Sequence, residues 1–247
     1  APPRPPHSSC PPTPGPPPRP PTAPGAPTRR WDFSASGVLR SIEESLTRLD
    51  LDRIDIALVH DPQEHLSWAL DSAYPALDRL RAEGVVGAIG VGTGDIGALT
   101  AFAKHTDVDA LMVAGRLTLL EQPALEEVVP ACAAAGISVL NAGVFNSGLL
   151  AATHPSETSR YEYAAASPEL LTRARRLADL ATAAGSTLPQ AALKFAARDR
   201  AVASVVIGAD NPVQLATSVW LAEDPRPLDR LWDELAAAGL LPLDTPR

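Results

Sequence analysis

The stretch Asp55-Ile56-Ala57-Leu58-Val59-His60-Asp61-Pro62 decides the fold class of this chain. Its apolar run is a few residues long and stops before a proline, which is typical of a buried β-strand and too short for a helix. Apolar residues with helical spacing precede it over residues 38–49, behind a helix cap at Ser34 or Ser36. Another such segment follows over residues 70–80. The pattern therefore predicts a strand between two helices.

This alternation continues along the chain. Five strands are predicted, at residues 54–59, 85–91, 108–113, 137–140 and 202–207. Short apolar strands separated by helices favour a parallel α/β sheet that helices cover. Five strands satisfy an open doubly wound sheet, whereas a closed (β/α)8 barrel of TIM type needs eight, so the count leaves both architectures open. Residues 141–167 carry no clear pattern and are long for a connection, which indicates a functional loop.

The first 30 residues differ from the rest in composition. They hold 14 of the 26 prolines and no Leu, Ile, Val, Phe, Met or Trp. Proline removes a backbone donor, and the segment has nothing apolar to bury, so we expect disorder or polyproline II there. Because Pro, Ala, Gly and Arg all have GC-rich codons, a second interpretation is that this segment is read out of frame. The folded domain is predicted over residues 31–247.

Charge and cysteine content limit the classes of partner. The net charge is −8, and the four arginines of the first 30 residues leave −12 for the remainder. An acidic body without a basic stripe argues against nucleic acid. No apolar run approaches the roughly 18 to 20 residues of a membrane-spanning helix, and the Pro-rich start lacks a secretory signal. Two cysteines do not make a disulfide framework, so a reduced, cytoplasmic location is predicted.

Candidate chemistry gathers at the carboxyl ends of the strands, where both parallel architectures place their active sites. His60 follows the first strand, and its imidazole could polarise a carbonyl or shuttle a proton, or be held by loop backbone. Gly92-Thr93-Gly94 could let backbone approach a ligand, or be a tight turn. The loop 208–211 (GADN) precedes a helix and could meet a phosphate, or be a capped turn.

Several stretches, taken in order, resemble the aldo-keto reductases. They are 41–49 (SIEESLTRL), 55–62 (DIALVHDP), 89–92 (IGVG), 114–120 (AGRLTLL) and 145–148 (FNSG). The last two are similar to the sugar-oxidising branch, the aldose, L-fucose and L-galactose dehydrogenases. The match runs from about Arg30 to the end, and the ordered set is more specific than any one motif.

The resemblance implies an eight-stranded α/β barrel in which the five predicted strands are strands four to eight. It implies hydride transfer between an aldose, or a related aldehyde or ketone, and NAD or NADP. The family's tetrad is an Asp, a Tyr acting as general acid and base, a Lys that lowers the pKa of that Tyr, and a His that orients the substrate carbonyl. The His corresponds to His60. No Tyr or Lys precedes His60 in this sequence, so we expect impaired turnover.

By the same resemblance, ten residues are candidates for holding the cofactor. They are Gly92, Thr93, Arg116, Asn141, Phe145, Gly208, Ala209, Asp210, Asn211 and Gln214. Gly92 and Thr93 stand where the family has Ser-Asn, and the aromatic platform falls near Asn141 or shifts to Phe145. Asp210 stands where an Arg often meets the 2′-phosphate of NADP. A carboxylate repels that phosphate and accepts from a ribose hydroxyl, so NAD is favoured.

A second hypothesis belongs to another class of function. Without a complete tetrad, the chain would be a non-catalytic α/β pseudoenzyme or scaffold whose Pro-rich arm binds a partner. The coding DNA separates the two hypotheses, because another reading frame that encodes the missing strands would favour the enzyme. No metal site is predicted, since the histidines and cysteines lack ligand spacing. The sequence predicts no particular oligomeric state.

Overall fold

The computed structural model describes residues 31–162 and 164–242. The Pro-rich head, predicted as disordered or out of frame, lies outside these residues. The helices are α1 (Ala35–Leu49), α2 (Leu66–Trp68), α3 (Tyr74–Ala82), α4 (Ile96–His105), α5 (Val128–Ala135), α6 (Pro168–Ala183), α7 (Leu188–Ala196), α8 (Pro212–Glu223) and α9 (Asp229–Ala237). The strands are β1 (Ile54–His60), β2 (Val86–Thr93), β3 (Ala110–Ala114), β4 (Ser138–Ala142), β5 (Arg160–Tyr161), β6 (Ala164–Ala165) and β7 (Val202–Val206). Single 3₁₀ turns lie at Gln63–His65 and Pro123–Leu125, and a π-helical turn over Ala69–Ala73 joins α2 to α3.

Five strands form one parallel sheet in the order β1-β2-β3-β4-β7. The order of the strands across this sheet is the same as their order along the chain, so the chain advances across it in one direction. A doubly wound sheet reverses at a switch point, so that alternative is excluded and the winding is that of a TIM-type barrel. Over the described residues the arc is open, with β1 and β7 as its outer strands. The predicted α/β class and the five strands are confirmed.

Side-chain caps begin most of the longer helices. Ser34 Oγ accepts from Gly37 N at 3.0 Å, which begins α1 and decides between the two serines that the sequence offered. Each such cap satisfies a backbone donor that has no partner within the helix, at a gain of about 1 kcal/mol. The same arrangement begins α4, α6, α7 and α8, at Asp95, Ser167, Thr187 and Asn211.

The main core lies between the sheet and the helices that follow its strands. Ile89, Val91, Leu111, Val113 and Val139 are fully buried and pack with side chains of α3, α4 and α5. A second apolar cluster joins α6, α7 and α9. None of the described helices combines the length and the apolar composition needed to cross a membrane. Burial of one sheet face against helices is what the winding requires.

The segment predicted as irregular over residues 141–167 contains more regular structure than the sequence indicated. β4 continues to Ala142. β5 and β6 pair as an antiparallel hairpin, with Arg160 opposite Ala165 and Tyr161 opposite Ala164. These strands are two residues long, and a pattern of alternating polarity cannot show over so short a length.

A close approach at Gly90 sets the centre of the sheet. A Cβ at this position would lie 1.9 Å from the Ala110 carbonyl oxygen on β3 and 2.9 Å from Leu58 Cδ2 on β1. The first of these contacts is with backbone, so no change of side-chain rotamer relieves it. Glycine is therefore the residue that permits the observed spacing of β2 and β3 at this point.

We expect Gly90→Ala to lower the free energy of unfolding by at least about 2 kcal/mol, because the sheet must shift to admit one methyl group. Chemical denaturation measures this loss. Gly208→Ala is the matched control, since a Cβ there meets no atom within 4 Å, and it should stay within about 1 kcal/mol of the unchanged chain. Equal losses in the two variants would contradict the packing argument.

Candidate functional site

Two clefts lie where β3, β4 and β7 end. The larger, which we call the β4–β7 cleft, has a volume of about 620 Å³ and is walled by residues that follow β4 and β7. The smaller, which we call the hairpin cleft, has a volume of about 530 Å³ and lies between the ends of β3 and β4 and the β5–β6 hairpin. Gly143, Asn146 and Ser147 line both. The turn over residues 143–148 therefore separates the two clefts.

The backbone of this turn is largely left-handed. Gly143, Asn146, Ser147 and Gly148 have φ angles of 65°, 47°, 59° and 92°. Serine rarely adopts this region, and asparagine does so more readily. A Cβ at position 143 would lie 3.0 Å from the Gly115 nitrogen, so the turn also approaches the end of β3 closely. Backbone held in such conformations is common where a protein clamps a ligand.

Four of the ten candidate cofactor residues line the β4–β7 cleft. Phe145 comes from the turn, and Gly208, Asp210 and Gln214 come from the loop after β7 and the first turn of α8. Ala209 and Asn211 belong to that loop but do not line the cleft. The rest of the wall is mostly apolar and includes Val144, Val206, Ile207, Val213 and Leu221. The structure thus brings together residues from two distant stretches.

The loop after β7 is shaped by hydrogen bonds at the start of α8. Asn211 Oδ1 accepts from Gln214 N at 3.0 Å, and Gln214 Oε1 accepts from Asp210 N at 2.8 Å. Both side chains are therefore occupied in holding the loop. Asp210 itself is exposed, and the space above Gly208 is open. The loop presents one carboxylate and bare backbone to the cleft.

Arg116 is the centre of a polar cluster beside the hairpin cleft. Its Nε donates to Gly94 O at 3.1 Å, and its Nη1 donates to Glu121 Oε1 at 3.0 Å and to Tyr161 Oη at 3.1 Å. Its Nη2 forms an ion pair with Glu162. Burial opposes the charged form, but the hydrogen bond and charge of Glu162 outweigh it and raise the pKa of Arg116. Arg116 is held by these acceptors and does not line the β4–β7 cleft.

The Tyr161 hydroxyl donates to Glu121 Oε1, the same oxygen that Arg116 contacts. Burial and this hydrogen bond raise the pKa of Tyr161 above the ordinary tyrosine value. The phenol is therefore protonated at neutral pH and acts as a donor. The sequence pattern did not single out Glu121, Tyr161 or Glu162. The length of the stretch over residues 141–167 was the one signal that pointed to part of the cluster.

We expect Tyr161→Phe to change how stability depends on pH. The pKa of Tyr161 in the folded state exceeds the unfolded value of about 10, so its contribution is present below that pH and is lost as the pH rises through the folded-state value. The free energy of unfolding, measured in urea from about pH 8 to about pH 11, should fall more steeply for the unchanged chain than for the variant. Parallel pH profiles would contradict this assignment.

His60 lies at the end of β1 and lines neither of the two clefts. Its Nδ1 is 3.4 Å from Asp61 Oδ2, and its ring stacks on Trp31 with centroids 6.2 Å apart. The side chain is 66% exposed, so the described residues leave it open to solvent. Gly92 is its partner in register on β2. The predicted position at the rim is what the structure shows, with an imidazole accessible to a small molecule.

Thr93 and Asn141 are buried in the structural framework rather than exposed in a cleft. Thr93 Oγ1 donates to Gln63 Oε1 at 3.0 Å. Asn141 Nδ2 donates to the carbonyl oxygens of Leu117 and Ala196 at 2.8 and 3.0 Å. Both side chains lie on the helix-facing side of the sheet and line neither cleft. Their hydrogen bonds stabilise the ends of β2 and β4.

Comparison with known proteins agrees with this geometry. A sequence profile described as the aldo/keto reductase family matches residues 25–228. The chain is 48% identical over 215 residues to D-threo-aldose 1-dehydrogenase from Pseudomonas sp., an alignment that covers 87% of this chain and 65% of that protein. It is 33% identical over 221 residues to pyridoxal 4-dehydrogenase from Microbacterium luteolum, covering 85% of this chain and 64% of that protein. The chain therefore spans slightly less than two thirds of each relative.

A solved structure shares the fold. The holo form of an aldo-keto reductase from Bacillus halodurans superposes with a TM-score of 0.68 at 21% sequence identity, over 84% of this chain and 68% of that one. At this identity the superposition speaks for the fold alone. It identifies the open arc of five strands as TIM-barrel type, in agreement with the winding order.

Proposed function

Because the chain belongs to the aldo/keto reductase family, we propose that it serves NAD-dependent oxidation of an aldose, with the cofactor in the β4–β7 cleft. The resemblance drawn from the sequence motifs is confirmed at the level of the family and of its aldose dehydrogenase branch. One observation carries the proposal for the site. Phe145, Gly208, Asp210 and Gln214, which are distant in sequence, line a single cleft at the carboxyl ends of the strands.

The lining of the β4–β7 cleft suits a dinucleotide. Phe145 and its apolar neighbours offer a surface for a planar ring, and the open space above Gly208 lets a phosphate chain approach the backbone. A bound nicotinamide dinucleotide supplies the hydride acceptor for the oxidation. The residues of the chain position that group and limit its contact with water. Phe145, Gly208, Asp210 and Gln214 are the residues that would hold it.

Asp210 favours NAD over NADP in this proposal. Its carboxylate is exposed at the mouth of the loop, and none of the residues that line the β4–β7 cleft is an Arg or a Lys. A 2′-phosphate placed there would meet a like charge without a compensating cation, whereas a ribose hydroxyl can donate to the carboxylate. This charge pattern is the support for the NAD preference.

We expect Asp210→Asn to reduce the preference for NAD over NADP by roughly tenfold, because it removes one like charge from the 2′-phosphate. Isothermal titration calorimetry with each dinucleotide measures the ratio of dissociation constants. Glu223→Gln, at the opposite end of α8 and also exposed, removes a charge of the same sign and should leave the ratio unchanged. If the unsubstituted chain binds NADP as tightly as NAD, the NAD preference assigned to Asp210 is refuted.

Turnover by this polypeptide alone should be slow. His60 corresponds to the family's carbonyl-orienting residue but lines neither cleft. The sequence also holds no Tyr or Lys before it, and the family's acid-base pair belongs there. General acid-base catalysis contributes about 10²–10⁴-fold. The rate of L-fucose oxidation with NAD, followed by NADH absorbance, should therefore lie about that far below the rate of an intact aldose dehydrogenase. A comparable rate would show that other residues supply the proton transfer.

The same assay separates the second hypothesis, a non-catalytic α/β pseudoenzyme or scaffold with a Pro-rich arm. Weak NAD binding that depends on Asp210, together with slow oxidation, supports an aldose dehydrogenase with an incomplete tetrad. Absence of both NAD binding and oxidation supports the non-catalytic module. The two hypotheses thus differ in cofactor affinity, which does not require turnover.

A further inference from the structure

The hairpin cleft carries several polar side chains that the cofactor proposal does not use. Its wall is formed by Ala114, Gly115, Gly143, Asn146, Ser147, Arg160, Tyr161 and Glu162. Four of these residues, Asn146, Ser147, Arg160 and Glu162, have strongly polar or charged side chains. It lies at the carboxyl ends of β3 and β4, where parallel α/β folds bind their ligands. A cleft whose wall carries these polar side chains fits a ligand with many hydrogen-bonding groups.

Asn146, which lines both clefts, has a side-chain acceptor without a partner. The residue is 5% exposed, and its Oδ1 accepts no hydrogen bond from the described residues. Its Nδ2 faces Glu121 Oε1 at 3.3 Å and Gly115 O at 3.5 Å. Both partners are acceptors, so the amide cannot be turned the other way without placing oxygen against oxygen. A buried acceptor left unpaired costs about 1–3 kcal/mol, which a hydroxyl donor from a ligand would recover.

Glu162 and Ser147 are placed together with some backbone strain. Among the described residues, five other than glycine have a left-handed backbone, and three of them, Asn146, Ser147 and Glu162, line this cleft. Glu162 N donates to Ser147 Oγ at 3.0 Å, which ties the hairpin to the turn. Ser147 Oγ is the acceptor in this bond, so its own hydroxyl hydrogen remains available for donation to a ligand. The strain is thus concentrated on residues that offer polar groups to the cleft.

Charges of both signs lie around the cleft. Arg116 and Arg160 are positive, and Glu121 and Glu162 are negative. Arg116 pairs with both glutamates, and Arg173 also interacts with Glu121, so both carboxylates already have a positive partner. A neutral ligand whose hydroxyl groups both donate and accept matches such a site without leaving a charge uncompensated.

We propose that the hairpin cleft binds the hydroxyl groups of a neutral aldose. Glu162 and Asn146 Oδ1 accept hydroxyl hydrogens, and the Ser147 hydroxyl donates to a sugar oxygen. The proposal rests on the proposed function for the class of substrate, and it adds the residues that select that class. A uronic acid, which is the same kind of sugar with a carboxylate, would meet Glu162 as a like charge and bind more weakly.

Sugar binding to the full chain tests this without turnover or cofactor. Ligand-observed NMR titrations with L-fucose and with D-galacturonate give the two affinities. We expect L-fucose to bind roughly tenfold more tightly than galacturonate. Glu162→Gln should weaken L-fucose binding by roughly tenfold, as expected for loss of a hydrogen bond to a charged acceptor, and should narrow the difference between the two sugars. Glu157→Gln, an exposed glutamate of the same segment, is the matched control and should change neither affinity.

Ser147→Gly separates binding from folding. Glycine accepts the φ of 59° without strain, which offsets part of the loss of the hydrogen bond from Glu162 N, so this variant should remain folded, with an unfolding temperature close to that of the unchanged chain. It should nevertheless bind L-fucose several-fold more weakly, because the hydroxyl group is gone. Unchanged L-fucose affinity in both Glu162→Gln and Ser147→Gly would overturn the proposal.

The outcomes also distinguish this proposal from the proposed function. NAD binding that depends on Asp210, with L-fucose affinity that ignores Glu162, leaves the cofactor site standing and refutes the hairpin cleft. L-fucose affinity that depends on Glu162, without any NAD binding, supports the hairpin cleft and refutes the cofactor site. Equal affinity for L-fucose and galacturonate would refute the charge argument and with it the proposal.

Discussion

The contact between Gly90 and the Ala110 carbonyl is the constraint on which the rest of the sheet depends. It limits the distance between β2 and β3 in the middle of the arc, where Gly90 is opposite Ala110 in register. Thr93 then lies opposite Val113, and Val113 opposite Asn141, so three strands end almost level. The turn over residues 143–148, which lines both clefts, begins at the end of β4, one of these level ends. A shift at Gly90 would therefore move this turn and with it both clefts.

Arg116 connects the strand ends to the irregular segment above them. Its side chain is about three quarters buried, and a buried charge is costly unless it is paired. Its partners come from different parts of the chain, namely the β2 end at Gly94, the segment after β3 at Glu121 and the hairpin at Glu162. The ion pairs thus hold the hairpin at one place over the sheet edge. Because one guanidinium contacts all of them, loss of one glutamate also alters the other contacts.

The sequence predicted those parts of this structure that depend on local pattern. The strand before His60, the helix over residues 96–105 and the cap at Asn211 are each specified by neighbouring residues, and the structure has all three. The choice between a doubly wound sheet and a barrel needed the strand order, which pairing over long distances determines. The burial of Asn141 could likewise not be predicted from the sequence, because the register of a strand determines which face of the sheet each of its side chains lies on.

The residues of the candidate site likewise fall into those that a local motif predicted and those that only tertiary contacts bring together. Phe145, Gly208, Asp210 and Gln214 were found because the family's motifs resemble these stretches, and they meet in one cleft. Glu121, Tyr161 and Glu162 meet only through tertiary contacts and have no fixed spacing that a motif could show. The turn that carries Asn146 and Ser147 is shared by the two clefts. If both proposals hold, a ligand that orders this turn from one side would leave less conformational entropy to be lost on the other. Occupancy of the two clefts would then be thermodynamically coupled, by the same factor in both directions.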